Sequence, residues 1–146
     1  MIRSYRQEDT EALAEIWQAA SLRAHNFIKD TYWLSKVDEI KNIWLPVAKT
    51  LVWEENERPV AFISVIDGEC IGGLFVDPVW QGKGIGSRLL TAVQAECSRL
   101  RLSVYAKNLS AVSFYARHGF CEELKGVDEE TGEEELLMIW QRPLFL

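Results

Sequence analysis

The glycine-rich segment from Gly82 to Ser87 constrains the fold of this chain more than any other feature. It follows two apolar stretches, Val60 to Ile66 and Cys70 to Val76, which Asp67-Gly68 joins. Both stretches have the length and composition of strands, and a glycine in the turn accepts the positive φ that tight hairpins need. A helical pattern then extends from the glycines to about Leu100. The segment therefore predicts an antiparallel hairpin that leads directly into a helix N-terminus.

Two helices are predicted before this hairpin, because apolar residues recur there at the spacing of one helical face. Residues 21–33 are aromatic but have no clear period, which predicts a loop between the two helices. Pro46 lies near the predicted end of the second helix. The predicted apolar faces are Leu13, Ile16, Trp17 and Ala20 for the first helix, and Ile40, Ile43, Trp44 and Val47 for the second.

The remaining elements complete a mixed sheet. Gly72-Gly73, inside an apolar strand, indicates a bulge or a close approach of a ligand backbone. We expect one α/β (α+β) domain over residues 1–146, with a mixed, mostly antiparallel central sheet of about seven strands flanked by four helices. The other predicted strands are residues 2–6, Thr50 to Glu54, the region of Leu102 and Val104, Phe120 to Leu124 and Leu136 to Trp140, and the last helix is Asn108 to Arg117, closed by Gly119.

Composition excludes several classes of protein. Hydrophobic residues make up 48% and charged residues 26% of 146 residues, which is typical of one globular domain and not of disordered chains or coiled coils. The N-terminal segment has no apolar signal-peptide core, and no run approaches the ~20 apolar residues of a membrane span. Cys70, Cys97 and Cys121 form no Cys-x-x-Cys pair, so we expect neither a disulfide framework nor a metal site. These features predict a cytoplasmic protein.

The net charge of −6 is concentrated in one segment. Residues Glu122 to Glu135 contain eight acidic residues and one lysine, whereas the rest of the chain is close to neutral. An acidic balance disfavours binding to nucleic acid and to anionic membranes. We therefore expect no nucleic-acid or membrane partner, and the sequence leaves open whether the protein is a monomer or a homodimer. The C-terminal Leu144-Phe145-Leu146 is predicted to pack on the domain or on a partner.

The glycine segment has the properties of an anion-binding site. A helix N-terminus presents unpaired backbone N–H groups, and glycines let these groups approach phosphate oxygens. A Walker loop is excluded because no Gly-Lys-Ser/Thr occurs, and the dinucleotide pattern Gly-x-Gly-x-x-Gly fails because Ser87 stands at its last position. Taken alone, the segment is also compatible with a turn that merely connects a strand to a helix.

The chain resembles the GCN5-related N-acetyltransferases, particularly small bacterial single-domain members. The residues that carry the resemblance are Leu74 to Pro78, then Gln81 to Gly86, and downstream Asn108, Ala111, Phe114, Tyr115 and Gly119-Phe120. The order of elements agrees with that family over almost the whole chain. The resemblance implies an acetyl-CoA-dependent N-acetyltransferase that transfers an acetyl group to a primary amine by direct attack in a ternary complex.

The resemblance also implies where acetyl-CoA binds. Backbone amides from Gly82 to Ser87 would hold the pyrophosphate, and the backbone of Leu74, Phe75 and Val76 would pair with the pantetheine arm. Asn108 would hydrogen-bond that arm, and Tyr115 would direct its hydroxyl at the sulfur. The full expected cofactor set is Leu74, Phe75, Val76, Gln81, Gly82, Lys83, Gly84, Ile85, Gly86, Ser87, Asn108, Ala111 and Tyr115.

The catalytic groups are expected to be Tyr115 and Glu69. Tyr115 is a proton donor to the leaving thiolate, with a packed aromatic residue as the alternative interpretation. Related protein acetyltransferases often have a glutamate five residues before the asparagine, where this chain has Ser103. Glu69 is then a candidate base, directly or through water, and otherwise a solvated residue after the turn. A non-catalytic domain that binds acyl-CoA remains the main alternative, and a nucleotide-binding module is a weaker one.

The acceptor amine is expected to bind between residues 25–33 and the last two strands. Phe27, Tyr32 and Trp33 are predicted walls of this site, although each also suits a core position. His25 is interpreted as a surface histidine, and His118 as a favourable residue at a helix C-terminus. Our hypothesis for the acidic segment is that Asp128, Glu129, Glu130 and Glu133 attract a cationic acceptor.

Overall fold

A single open sheet of seven strands organises residues 1–144, the part of the chain that this computed structural model describes. The strand order is β1-β2-β3-β4-β5-β7-β6, and every neighbouring pair is antiparallel except β4 and β5. The predicted mixed, mostly antiparallel α+β fold is therefore confirmed. The strands are β1 (Ile2–Ser4), β2 (Lys49–Glu55), β3 (Arg58–Ile66), β4 (Cys70–Val76), β5 (Arg99–Tyr105), β6 (Cys121–Val127) and β7 (Glu134–Gln141).

The described residues form four helical regions around this sheet. These are α1 (Thr10–Ala24), a composite region α2, α3 (Ile85–Glu96) and α4 (Leu109–Arg117). Region α2 consists of Asp30–Ser35, Val37–Glu39, a π-helical segment Ile40–Trp44 and Leu45–Val47. No described helix is both long enough and apolar enough to cross a bilayer.

Two predictions for the region before β2 are wrong. The loop predicted over residues 21–33 is shorter, because α1 continues to Ala24 and helix resumes at Asp30. The predicted apolar face of the second helix is wrong at two of its four residues, since Ile43 and Val47 are 65% and 71% exposed while Leu45 is fully buried. Its other two residues, Ile40 and Trp44, pack on the core. The π-helical turn explains the shift, because its i→i+5 hydrogen bonds rotate the residues that follow relative to an α-helix.

The helices cover both faces of the sheet and create two apolar clusters. On one face Ile63 of β3 packs with Leu89 of α3 and Tyr115 of α4. On the other face Phe62 packs with Leu13 of α1 and with Trp33 of α2. Strand β3 is apolar on both faces for this reason, as a central strand is expected to be. The tail prediction cannot be followed beyond the exposed Leu144, because Phe145 and Leu146 lie outside the described residues.

Strand β4 is bulged and separates from β5. Ser64 pairs with Gly73 and Val65 with Ile71, so Gly72 is the extra residue of a bulge, as predicted. The space beside Gly72 holds the indole of Trp44, which a Cβ would approach to 2.6 Å, so a side chain and not a ligand approaches here. Strands β4 and β5 pair through Cys70 and Arg101 alone within the described residues. Beyond that pair the two strands separate, which opens the sheet toward the C-terminal end of β4.

Candidate active site

A cavity of about 570 Å³ lies at the C-terminal end of β4, and we call it the main cavity. It is bounded by the end of α1, the end of β4, the glycine loop with the start of α3, and α4. Every expected cofactor residue except Lys83 lines it. The lining residues are Ala20, Ala24, His25, Leu74, Phe75, Val76, Trp80, Gln81, Gly82, Gly84, Ile85, Gly86, Ser87, Asn108, Ser110, Ala111, Phe114, Tyr115 and Arg117.

The glycine loop presents free backbone donors to this cavity. Gly82 and Gly84 have φ values of 77° and 83°, in the left-handed region that favours glycine. Gly84 is the residue before the first turn of α3, and no side chain caps that turn. The first N–H groups of α3 have no partners within the helix, and the helix dipole places partial positive charge there. The loop can therefore bind phosphate oxygens, and the Lys83 ammonium lies nearby, 5.9 Å from the Trp80 ring centroid.

Tyr115 is the buried titratable group of the main cavity. Its side chain packs edge-to-face on Phe114 and Phe120, and the residue is only 8% exposed. Burial raises the pKa of Tyr115 well above its usual value of 10. The hydroxyl makes no hydrogen bond to another residue in the described part of the chain. A neutral O–H group at this position can donate a proton to a basic atom in the cavity.

Asn108 and His25 form a hydrogen-bonded pair at the wall of the same cavity. Asn108 precedes α4, and its Oδ1 accepts from the N–H of Ala111 at 3.2 Å. Its amide nitrogen lies 3.2 Å from Nε2 of His25. The interpretation of His25 as a surface histidine is wrong, because its ring stacks on Trp33 at 4.9 Å between centroids. Burial lowers the pKa of His25, and the Ser21 carbonyl opposes this shift.

A second cavity, which we call the acidic pocket, lies on the far side of this stacked pair. It measures about 310 Å³ and contains two of the expected acceptor residues, Tyr32 and Trp33. Phe27 does not line it but packs against His25 and Tyr105. Because His25 lines the main cavity and Trp33 lines the acidic pocket, the stacked pair lies between the two spaces. The lining residues are Trp17, Tyr32, Trp33, Lys36, Glu39, Ile40, Asp128 and Glu130.

Two carboxylates of the acidic pocket, Glu130 and Asp128, have partners that favour their ionised forms. Lys36 and the Tyr32 hydroxyl both bind Glu130 and lower the pKa of its carboxyl. Although burial acts to raise it, hydrogen bonds from the Tyr105 hydroxyl and from backbone N–H groups lower the pKa of Asp128. Burial and the bond to Glu130 raise the pKa of Tyr32 to about 12. At neutral pH the pocket therefore contains carboxylates beside neutral phenols.

Comparison with known proteins identifies the family. Residues 3–139 match the model of the acetyltransferase (GNAT) domain. The chain is 32% identical over 140 residues to the peptidyl-lysine N-acetyltransferase YiaC of Escherichia coli K12, covering 96% of each chain.

The chain belongs to the GNAT family.

Solved structures agree with this assignment. The solution structure of apo YjaB from Escherichia coli has 28% identity and a TM-score of 0.83 over 96% of each chain. An N-acetyltransferase of Thermoplasma acidophilum solved with coenzyme A shares the fold at a TM-score of 0.80, with 22% identity and 97% and 98% coverage. This GNAT protein is an acetyl-CoA-dependent N-acetyltransferase. Among residues 1–144 no group of His, Cys, Asp and Glu is arranged to hold a metal ion.

The structure places Glu69 outside the main cavity of this acetyltransferase. Its carboxylate faces Arg99 at 3.6 Å and Arg101 at 3.9 Å, where β4 meets β5. Among the described residues no carboxylate lines the main cavity, and Ser103 is exposed on β5. Glu69 is therefore an ion-pairing residue in this structure, and its role as a base through water stays a prediction. His118 accords with its sequence interpretation, since Nδ1 donates to the Phe114 carbonyl at the end of α4.

Proposed function

We propose that this acetyltransferase moves the acetyl group of acetyl-CoA directly to a cationic primary amine in a ternary complex, with a lysine side chain as the acceptor class. The observation that carries the proposal is that the glycine loop and the buried Tyr115 line one cavity, and that the stacked pair of His25 and Trp33 lies between it and the acidic pocket. This arrangement provides one site for each substrate, and direct attack requires both substrates to be bound at the same time.

The main cavity suits acetyl-CoA along its whole length. The amides from Gly82 to Ser87 bind the pyrophosphate, since they are unpaired and lie at a helix N-terminus. The end of β4 provides backbone groups to the pantetheine arm, because β5 has separated from it there. Gln81 supports this edge by donating to the Val76 carbonyl at 3.0 Å. Asn108 then hydrogen-bonds the part of the arm closest to α4.

Tyr115 acts as the general acid in this proposal. When the amine nitrogen bonds to the acetyl carbon and the carbon–sulfur bond breaks, the electron pair goes to sulfur. The attacking amine is the neutral form, because its ammonium has first released a proton to solvent. The phenol then transfers its proton to the thiolate, and the acylated nitrogen returns a proton to the phenolate, which regenerates Tyr115. Burial keeps this phenol protonated throughout the neutral range, because a buried phenolate is disfavoured. A positioned acid of this kind accelerates such steps by roughly 10² to 10⁴.

The acidic pocket suits the acceptor. An ammonium of this chain already lies in it, since Lys36 pairs with Glu130 at 2.8 Å and lies 5.6 Å from the centroid of the Tyr32 ring. Carboxylates and aromatic faces are the groups that bind ammonium ions in proteins. Peptidyl-lysine is the acceptor class named for YiaC, which supports the same choice here. Small cationic amines have the same head group and are the comparison class.

A panel of amines tests this proposal. The protein is incubated with acetyl-CoA and lysine peptides, polyamines or neutral-side-chain N-terminal peptides, and release of free thiol is followed. We expect the lysine peptides to react fastest, with intersecting initial-rate lines, and Glu130→Gln to raise their KM. Glu122→Gln, on the edge strand β6, is the matched control and should leave KM unchanged. Parallel lines would contradict the ternary complex, and preference for neutral amines would contradict the acceptor class.

The sequence also leaves open a non-catalytic acyl-CoA-binding role, and the named N-acetyltransferase relatives favour the enzyme instead. The main cavity has no carboxylate among the described residues, so no side-chain base is assigned in this proposal. The same assay checks this choice, because a non-catalytic protein would give a thermal shift with CoA but no thiol release with any amine.

A further inference from the structure

The side-chain amide of Asn108 is bound at both of its polar atoms. Oδ1 accepts from the backbone N–H of Ala111, and this bond caps the N-terminus of α4. Because the cap requires the oxygen, the atom that faces His25 is Nδ2, which can only donate. The 3.2 Å contact from Nδ2 to Nε2 therefore requires an unprotonated Nε2. His25 is neutral in this arrangement, with its ring proton on Nδ1.

A protonated His25 cannot make this contact. Both ring nitrogens of a histidinium ion donate, so Nε2–H and the Asn108 amide nitrogen would be two donors facing each other. Turning the amide over would place its oxygen toward His25 but would remove the bond to Ala111. The N–H of Ala111 would then face a second donor. A cationic His25 and an Asn108 that caps α4 are thus mutually exclusive.

We propose that neutral His25 is a positioning residue that holds Asn108 in the orientation that binds CoA, and that protonation of His25 releases Asn108 and weakens CoA binding. The proposal rests on the assignment of Asn108 to the pantetheine arm made above. It adds a residue from the end of α1, remote in sequence from the glycine loop, to the determinants of cofactor affinity.

The surroundings of His25 are largely uncharged. Its ring stacks on Trp33 and contacts Phe27 and Tyr105 edge-to-face, so burial disfavours the cation and lowers the pKa of His25. The nearby Ser21 carbonyl of α1 opposes this effect, although Nδ1 of His25 is buried and has no hydrogen-bond partner among the described residues. The titratable and charged groups nearby come from three places. Tyr105 packs on the ring, and its hydroxyl binds Asp128. Tyr115 and Arg117 line the main cavity, and Lys107 lies over the Phe27 ring and pairs with Glu133.

The test measures the dissociation constant of CoA by calorimetry at about pH 8 and about pH 5, on either side of the histidine range. Wild type is compared with His25→Gln, whose side-chain oxygen restores an acceptor that does not titrate, and with His25→Leu, which has none. We expect His25→Leu to bind CoA about fivefold more weakly at the higher pH, the typical effect of one hydrogen bond, and His25→Gln to bind as wild type does. Lowering the pH should weaken wild type more than His25→Gln, by up to about fivefold once the pH is below the lowered pKa of His25.

The CoA phosphates also titrate in this range, and their effect on the dissociation constant is the same for wild type and for His25→Gln. Comparing the two proteins therefore cancels that contribution. An Asn108→Ala background provides the second control, because His25→Leu should have no further effect on CoA affinity there. Equal pH dependence of wild type and His25→Gln would overturn the proposal, as would an undiminished effect of His25→Leu in the Asn108→Ala background. If His25→Leu does not fold, the wild-type and His25→Gln comparison decides alone. A folded wild type that binds no CoA at the higher pH would overturn the proposed cofactor site, a distinguishable result.

Discussion

Removal of the Tyr115 hydroxyl is the most direct test of how this site transfers the acetyl group. In Tyr115→Phe the ring keeps its contacts with Phe114 and Phe120, whose centroids lie 5.2 Å and 5.5 Å away. Because the hydroxyl binds no other described residue, we expect the free energy of unfolding to change by less than about 1 kcal/mol. The proton donor is lost, so kcat should fall at least about 100-fold, equivalent to about 2.7 kcal/mol of barrier.

The assay is thiol release under saturating acetyl-CoA, with the dissociation constant of CoA measured separately. We expect kcat to fall while CoA affinity and melting temperature stay near those of wild type, since the phenol is needed only when the thiolate leaves. Tyr5→Phe is the matched control, because it removes a tyrosine hydroxyl that binds Thr10 outside the main cavity. A Tyr115→Phe protein with kcat within about twofold of wild type would refute the acid role.

Two further predictions concern the loop and the stability of the fold. Gly84→Ala should lose about 1–2 kcal/mol in unfolding free energy or in CoA binding, because its φ of 83° is left-handed although a Cβ there would meet open space. Gly126→Ala is the control, since a Cβ there also meets open space and φ is not positive. Thermal melting and calorimetry should show no loss of stability or of CoA affinity for this control. Asp9→Asn should cost about 2 kcal/mol, since it removes one of the two carboxylates that bind the guanidinium of Arg3, while Glu54 keeps its pairing. The bond to Arg3 lowers the pKa of Asp9, so its stabilisation should be complete above about pH 4 and be lost as the pH falls through the folded-state pKa. The measurement is the free energy of unfolding of wild type and of Asp9→Asn over a series of pH values. Equal values for the two proteins at every pH would contradict this prediction.

The glycine loop, the start of α3 and the end of β4 could be placed together from the sequence because they are local, whereas Asn108 and Tyr115 are assigned to this site through the family resemblance. The glycines that accept left-handed φ, the helix they precede and the strand before them are contiguous, so spacing alone places them together. The Gly72 bulge is likewise visible as a glycine inside an apolar strand. Lys83 is the exception, since a loop side chain can point to either side and here it lies over Trp80.

The acceptor half could be predicted only in part, because long-range contacts build it. Tyr32 and Glu130 are 98 residues apart, and His25 and Asn108 are 83 residues apart. A lone histidine among aromatic residues does not reveal that its ring will be buried and bonded to a helix cap. The π-helical turn at Ile40–Trp44 also changes which side chains face inward, and no helical period in the sequence reports it.

The acidic segment has a more specific role in the structure than its charge alone implies. Of the four acidic residues expected to attract the acceptor, Asp128 and Glu130 line the acidic pocket, whereas Glu133 pairs with Lys107. With Glu39 the pocket has three carboxylates against one ammonium, that of Lys36, which gives it a net charge of −2. In the proposed function, an amine acceptor competes with the tethered ammonium of Lys36 for the carboxylate of Glu130. On that proposal, selectivity for cations depends on contact with this pocket more than on the field of the whole segment.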